Sequence, residues 1–301
     1  MKQLIEQLRG SEVGDIYPNE PLAPHTTWKI GGPCDVLVVP KGKRELAETI
    51  RIAAERNVPW TTIGRGSNLL VSDKGISGIV IKLGKAFDYV RFEDTLVIAG
   101  GAYSFIKLSL MTGREGLAGM EFAGGIPGSV GGAVYMNAGA HGSDVSRILK
   151  SAEVVLEDGQ LAVWNAEDFR FGYRHSALQG TRAVVTEAVF ALAHGNRLEI
   201  AGAIAAYKER RLRTQPFTEP CAGSVFRNPE GTFAAKLIEE AGMKGTRVGG
   251  AEISELHANF IVNTGNATAE DVLALMKLIQ QTVEQKFGIR LVPEVLEVGE
   301  R

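Results

Sequence analysis

Apolar side chains recur along this chain at spacings that switch between strand and helix. Residues 43–57 carry Leu46, Ile50, Ala53 and Ala54 at helical intervals, which predicts a helix. Short apolar runs at 36–39 and 60–63 flank it and predict buried strands. Together they read as a β-α-β unit whose last strand runs straight into a glycine turn. Further strands are predicted at 79–83 and 96–99, with a helix at 104–112. Residues 1–27 read as a short amphipathic helix followed by a connector holding Pro18, Pro21 and Pro24. Runs at 153–157 and 160–164 flank Asp158-Gly159, a dipeptide typical of two-residue type I′ hairpins, and 183–193 is again strand-like.

Beyond residue 198 the periodicity becomes mainly helical. A helix is predicted at 198–213, ended by Gln215-Pro216, and another at 233–241, ended by Gly242. An apolar strand is expected at 258–262. Thr268 then stands as the cap of a long helix with Val272, Leu275, Met276, Ile279, Val283 and Phe287 on one face. Residues 290–298, containing Pro293-Glu294, close the chain as a strand. The expected organisation is an N-terminal helix and connector (1–26), a mixed sheet domain (27–194) and an α+β domain (195–301), with no internal repeat.

Composition narrows the function classes. The chain is 45% hydrophobic and 23% charged, ordinary for a globular protein, and its net charge of −2 offers no footprint for nucleic acid or an anionic membrane. Charges run through the short apolar stretch at the N-terminus, which therefore reads as neither signal peptide nor membrane span. Cys34 and Cys221 lie in no CxxC or zinc spacing, and His141 and His175 have no metal-ligand spacing, so no metal is expected. The expectation is a soluble cytoplasmic enzyme, without membrane insertion, that is a monomer or weak oligomer. Glycine alone is unusual: it makes up 36 of 301 residues, against ~7% in typical chains.

That excess is local. Gly64-Arg65-Gly66-Ser67-Asn68-Leu69 follows the predicted strand at 60–63, and Gly124-Gly125-Ile126-Pro127-Gly128-Ser129-Val130-Gly131-Gly132-Ala133 lies about sixty residues later, trailed by Asn137 and Gly139. Neither stretch is a GxxxxGK[ST] loop, and the first lacks the third glycine of GxGxxG. Consecutive amides with the Ser67 hydroxyl and the Asn68 amide suit a pyrophosphate, although a tight structural turn would look the same. In the second stretch Pro127 fixes φ while its glycine neighbours allow close backbone approach, and Asn137 adds a polar amide for a planar ring edge. The pair predicts a large cofactor held mainly by main chain.

The glycine turn, the GIPGSVGG…NAGA segment, Gly172-Tyr173-Arg174-His175-Ser176, Gly223-Ser224-Val225-Phe226-Arg227-Asn228-Pro229 and Pro293-Glu294-Val295 resemble, in this order, the UDP-N-acetylenolpyruvoylglucosamine reductase (MurB) family. The resemblance runs from about residue 27 to 298. It implies an α+β fold: a two-part FAD-binding domain of the vanillyl-alcohol-oxidase (PCMH) type, followed by a C-terminal α+β substrate-binding domain. It also implies noncovalent FAD, NADPH as co-substrate and a UDP-sugar as substrate, in peptidoglycan synthesis. Its cofactor contacts would be Gly64, Arg65, Gly66, Ser67, Asn68, Leu69, Gly124, Gly125, Ile126, Pro127, Gly128, Ser129, Gly131, Gly132, Ala133, Asn137 and Gly139. The chain between Tyr173 and Ser224 lacks an inserted segment, as in the shorter, second-type branch, and Arg227 stands where Lys is commoner.

Reducing an enolpyruvyl double bond places negative charge beside the carboxylate, so the site needs cationic or protonic groups there and a proton donor at carbon. By resemblance, Arg174 and Glu294 would stabilise the enolate, Ser224 would deliver the proton, and Tyr173 and Asn228 would contact substrate. Taken singly, Arg174 reads as a surface arginine, Ser224 as a turn residue and Glu294 as a solvated strand end; the shared motifs change that reading. Most of the run Lys208-Glu209-Arg210-Arg211-Leu212-Arg213 reads as a solvated helix face, with a diphosphate contact as the other option, and His257 is equally well a structural histidine. Without a separate nicotinamide fingerprint, NADPH and the UDP-sugar would visit one site in turn. An FAD oxidase acting on another alcohol and a non-catalytic nucleotide-sugar binder are the competing readings.

Overall fold

The computed structural model describes residues 1–300. The chain forms two compact units that interleave along the sequence: residues 1–19, 35–65 and 78–210 make the first, and residues 20–34, 66–77 and 211 onward the second.

Two sheets organise the first unit. One has the strand order Gly14–Pro21, Pro33–Pro40, Ile76–Lys82, Trp60–Ile63, the last two being parallel with Trp60 opposite Ile79. The strands on either side of the intervening helix are thus separated by Ile76–Lys82. Helices α1 (Lys2–Gly10) and α2 (Lys43–Glu55) cover this sheet, burying Leu4, Leu8, Leu46 and Ile50 with Val36, Val38, Ile79 and Ile81. The second sheet is antiparallel, ordered Leu161–Asn165, Leu149–Val155, Val184–Ala191, Leu96–Gly100, Val90–Glu93.

Against it lie α3 (Phe105–Glu115), capped by the Ser104 hydroxyl accepting from the Lys107 amide at 3.4 Å, and α4 (Val130–Tyr135), capped likewise by Ser129. Phe105, Phe122, Phe169 and Phe190 fill the core between them. In α5 (Arg197–Thr214), Ile200 and Ile204 are buried, and Ile204 packs onto Gly113 and Gly124. This holds α5 to the first unit through Arg210.

The second unit is built around α6 (Ala234–Glu240), α7 (Ala269–Phe287) and an antiparallel sheet of Arg247–Val248, Ala251–Ile253 and Ile261–Asn263. Strand Leu296–Val298 pairs in parallel with Leu69–Val71. Val272, Leu275, Met276, Ile279 and Val283 of α7 are buried with Phe226, Ile253 and Trp28. Trp28 is fully buried and its indole N–H donates to the Ile261 carbonyl at 2.8 Å, the partner a buried tryptophan requires. As expected, Thr268 caps α7, in a capping box with Asp271. The Asp73 carboxylate adds a remote cap by accepting from the Ala269 amide at 2.8 Å and the Glu270 amide at 3.0 Å.

Several local expectations need correction. The proline-rich connector is largely the strand Gly14–Pro21, which tolerates Pro18 and Pro21 because it lies at a sheet edge, where a missing N–H costs no ladder bond. Asp158-Gly159 is not a two-residue type I′ hairpin. Only Gly159 has positive φ, and Leu156 pairs with Gln160 across a three-residue loop, a turn followed by a left-handed glycine. The strand at 258–262 is confined to Ile261–Asn263, and the closing strand to Leu296–Val298. Short strands at Leu69–Val71 and Val90–Glu93 were not anticipated.

Candidate functional site

In the first unit the second glycine segment is tied down from both sides. The Val130 amide donates to the Tyr103 carbonyl and the Gly131 amide to the Gly101 carbonyl, each at 2.9 Å. Asn137, left-handed at φ 43° and 3% exposed, donates from Nδ2 to the Gly172 carbonyl and accepts the Ser146 amide on Oδ1, each at 2.9 Å. The side chain of Asn137 is therefore used in joining this segment to the loop of Arg174.

Arg174 sits in a tight turn. Gly172 and His175 exchange amide-to-carbonyl bonds of 3.0 and 3.1 Å, leaving Tyr173 and Arg174 as the central pair. Arg174 has φ 53°, a left-handed backbone that costs a residue with a Cβ roughly 1–2 kcal/mol. Its Nη2 donates to the Gly139 carbonyl at 2.8 Å, and its guanidinium carbon lies 5.1 Å from the ring centre of Tyr173, which is 53% exposed. Gly139 must be glycine here, since a Cβ would fall 2.6 Å from the Ser143 carbonyl oxygen. Nearby, the His141 and Tyr207 rings stack at 3.9 Å.

In the second unit Ser224, Glu294 and Asn68 fall on adjoining segments. The Glu294 amide donates to the Val225 carbonyl at 2.7 Å, and the Arg227 amide to the Val292 carbonyl at 2.9 Å, so the segments of Ser224 and Glu294 run side by side. Asn68 Nδ2 donates to the Glu294 carbonyl at 3.1 Å, while the Asn68 carbonyl accepts the Leu296 amide at 3.0 Å. Ser224 and Glu294 are both half-buried. Asn228 Oδ1 accepts the Ala234 amide at 3.1 Å, which makes it a cap at the start of α6.

Asn259, which the sequence reading did not single out, is 3% exposed and braces the Ser224 segment. Its side chain bonds both main-chain groups of Phe226, and its carbonyl accepts the Val225 amide at 2.9 Å. His257, two residues earlier, packs edge-on against Phe260. Burial holds its pKa below the usual histidine value, with Lys244 and Arg211 acting in the same direction. Arg211, from the basic run, donates to Gln215 Oε1 at 2.9 Å and lies over Phe217. Burial likewise raises the Cys221 thiol, so this cysteine is not an activated nucleophile.

The cofactor implied by the glycine segments can be tested against donor chemistry. Among the described residues, the main-chain amides of Gly64, Arg65, Gly66 and Asn68, and those of Gly128 and Ser129, find no acceptor within the chain. Gly66 and Ser129 are buried residues, so water satisfies such amides poorly there and an anionic ligand would satisfy them well. Gly66 has φ +67°, and a Cβ on it would lie 2.3 Å from the His25 carbonyl oxygen. Both turns thus fit a pyrophosphate-bearing group. Among the described residues no cluster of three or more His, Cys, Asp or Glu could hold a metal ion, and no helix is long and apolar enough to cross a membrane.

In the comparison with known proteins, two family matches fall on separate parts of the sequence. The FAD binding domain family matches residues 34–164, and the C-terminal domain of UDP-N-acetylenolpyruvoylglucosamine reductase matches residues 215–298. UDP-N-acetylenolpyruvoylglucosamine reductase 1 of Bacillus cereus is 51% identical over 300 residues, covering 99% of this chain and 100% of the relative. The reductase of Bacillus licheniformis is 49% identical over 302 residues, covering both chains fully. The crystal structure of the reductase from Thermus caldophilus superposes with a TM-score of 0.80 at 36% identity, over 94% of this chain and 98% of that one. A glucooligosaccharide oxidase from Acremonium strictum, at 15% identity and a TM-score of 0.50 over 96% of this chain and 60% of that one, shares the fold. The fold is thus α+β, an FAD-binding domain of the PCMH oxidase type with a C-terminal reductase domain.

Proposed function

The chain belongs to the UDP-N-acetylenolpyruvoylglucosamine reductase family and is an FAD-dependent oxidoreductase, and on that footing we propose that it reduces the enolpyruvyl ether of a UDP-N-acetylglucosamine derivative to UDP-N-acetylmuramate with NADPH. We assign the flavin to the region of residues 27–194 and the UDP-sugar to residues 195–301. The reaction would belong to peptidoglycan synthesis in the cytoplasm, where both NADPH and nucleotide sugars are found. Bound FAD would supply two-electron hydride chemistry between NADPH and the enolpyruvyl group.

The observation that carries this reading is the pairing of the Ser224 and Glu294 segments, with Asn68 of the glycine turn bonded to the Glu294 carbonyl. The amides of Gly64, Arg65, Gly66 and Asn68, with those of Gly128 and Ser129, would bind the cofactor's pyrophosphate. In the reduction the carbon–carbon double bond becomes a single bond, its methylene carbon gaining a hydride and its carboxylate-bearing carbon a proton. Ser224 Oγ would donate that proton. The guanidinium of Arg174 would meet the substrate carboxylate and offset the charge that builds there. Glu294 would assist through its proton or through a hydrogen-bond network, and Tyr173 and Asn228 would flank the substrate. NADPH and the UDP-sugar would use one face in turn, giving ping-pong kinetics.

The test is anaerobic and optical. The purified protein should be yellow or take up FAD, NADPH should bleach it, and the UDP-enolpyruvyl sugar alone should restore the colour. A protein that cannot be loaded with FAD, or a bleached flavin that this sugar fails to reoxidise, would overturn the proposal.

A further inference from the structure

The turn that carries Arg174 is exposed at Gly172, Tyr173 and His175, away from the hydrophobic core, and yet its backbone adopts a conformation arginine disfavours. Polar contacts hold it: the Gly172–His175 pair closes the turn, Asn137 bonds the Gly172 carbonyl, and one further side chain reaches its centre. Gln179 lies five residues on, in the 3-10 helix Ala177–Gly180. Its Nε2 donates to the Arg174 carbonyl at 3.1 Å and to the Tyr135 carbonyl at 3.3 Å, and its Oε1 faces His175 Nδ1 at 3.2 Å. Tyr135 is the last residue of α4, the helix that begins within the second glycine segment. A single side-chain amide thus spans the Arg174 turn and the end of that segment.

We infer that Gln179 is a positioning residue for Arg174. Its amide holds the Arg174 carbonyl in the direction that the left-handed backbone requires. Without it, residue 174 would relax toward an ordinary right-handed or extended backbone, and its Cβ would swing away from the Gly139 carbonyl that now anchors Nη2. The local fold does not depend on Gln179, because Leu178 is fully buried and Ser176 Oγ separately bonds the Tyr135 carbonyl at 2.7 Å. This inference rests on the reading that Arg174 meets the substrate carboxylate.

The test uses the FAD-loaded full chain carrying Gln179→Leu, which keeps much of the volume, and Gln179→Glu, which turns the donor into an oxygen facing two carbonyls. Flavin reduction by NADPH and the melting temperature should match the parent's. Reoxidation by the UDP-enolpyruvyl sugar should slow about tenfold to a hundredfold, the range expected when a contact group is displaced by about an ångström. Calorimetric affinity for the product, UDP-N-acetylmuramate, should fall with it, more in Gln179→Glu. In an Arg174→Ala background, Gln179→Leu should add nothing further to either loss. An equal additional loss in that background, or an equal slowing of both half-reactions, overturns the inference. Normal reoxidation in Gln179→Leu with slow reoxidation in Arg174→Ala also overturns it, leaving the Arg174 reading intact. Normal reoxidation in Arg174→Ala removes that reading and the inference together.

Discussion

The side-chain amide of Asn259 pairs with both main-chain groups of Phe226, accepting its N–H on Oδ1 at 3.0 Å and donating from Nδ2 to its carbonyl at 2.8 Å. A side chain here does what the peptide of a neighbouring strand would do, and it does so two residues from Ser224. Asn259→Ala leaves two buried main-chain groups without partners, and each such group costs about 1–3 kcal/mol. The urea midpoint should drop accordingly. Asn259→Asp keeps the acceptor but sets a buried carboxylate oxygen against the Phe226 carbonyl, so at neutral pH its loss should be at least as large as that of Asn259→Ala. Equal stability of Asn259→Ala and the parent would show that the clamp carries no load.

Ser224→Ala should separate the two half-reactions. NADPH should still bleach the flavin at the parent's rate, while reoxidation by the UDP-enolpyruvyl sugar falls by roughly 10²–10³, the usual loss when a group serving the transition state is removed. Near-normal turnover would take Ser224 out of the mechanism.

Asp73 caps α7 from a distant loop, through the amides of Ala269 and Glu270. Asp73→Ala should cost about 1 kcal/mol of stability, as other cap removals do, with both flavin half-reactions unchanged. Thr268→Ala should lose a similar amount, and the double variant less than the sum, because both act on one helix end. Strict additivity in urea titrations would show that the caps work independently.

Burial lowers the His257 pKa in the folded chain, so the unfolded chain binds the proton more tightly. Stability contributed by neutral His257 is present above the unfolded value of about 6.5 and is lost as the pH falls through the lowered folded value. His257→Gln should flatten the dependence of the urea midpoint on pH below about 6.5. The parent's His257 ring signals should titrate below that value in NMR spectra, and titration at or above it would contradict the burial argument.

The features legible in the sequence were those with a period or a cap. The stripe from Val272 to Val283 announced α7, Thr268 announced its start, and the strand-like runs announced the central strands. The strand Gly14–Pro21 was hidden because Pro18 and Pro21 read as breakers, and only the finished sheet shows that they sit at its edge. The glycine turns were visible as departures from average composition. Asn259 and Gln179 were not, since a single side chain that bonds a distant carbonyl leaves no periodic trace. Their roles emerge only when residues 33 and 44 positions apart are brought together.

At position 174 the backbone favours glycine or asparagine, and the chain supplies arginine. On the proposed role of Arg174 at the substrate carboxylate, stability and chemistry pull in opposite directions at this one codon. A library randomised there and screened by heat alone would converge on small residues, and every winner would lack the guanidinium. If the proposed role holds, screening the same library by growth that depends on the enzyme would return arginine in a less stable protein. The difference between the two outcomes would measure how much stability the fold gives up for its cation.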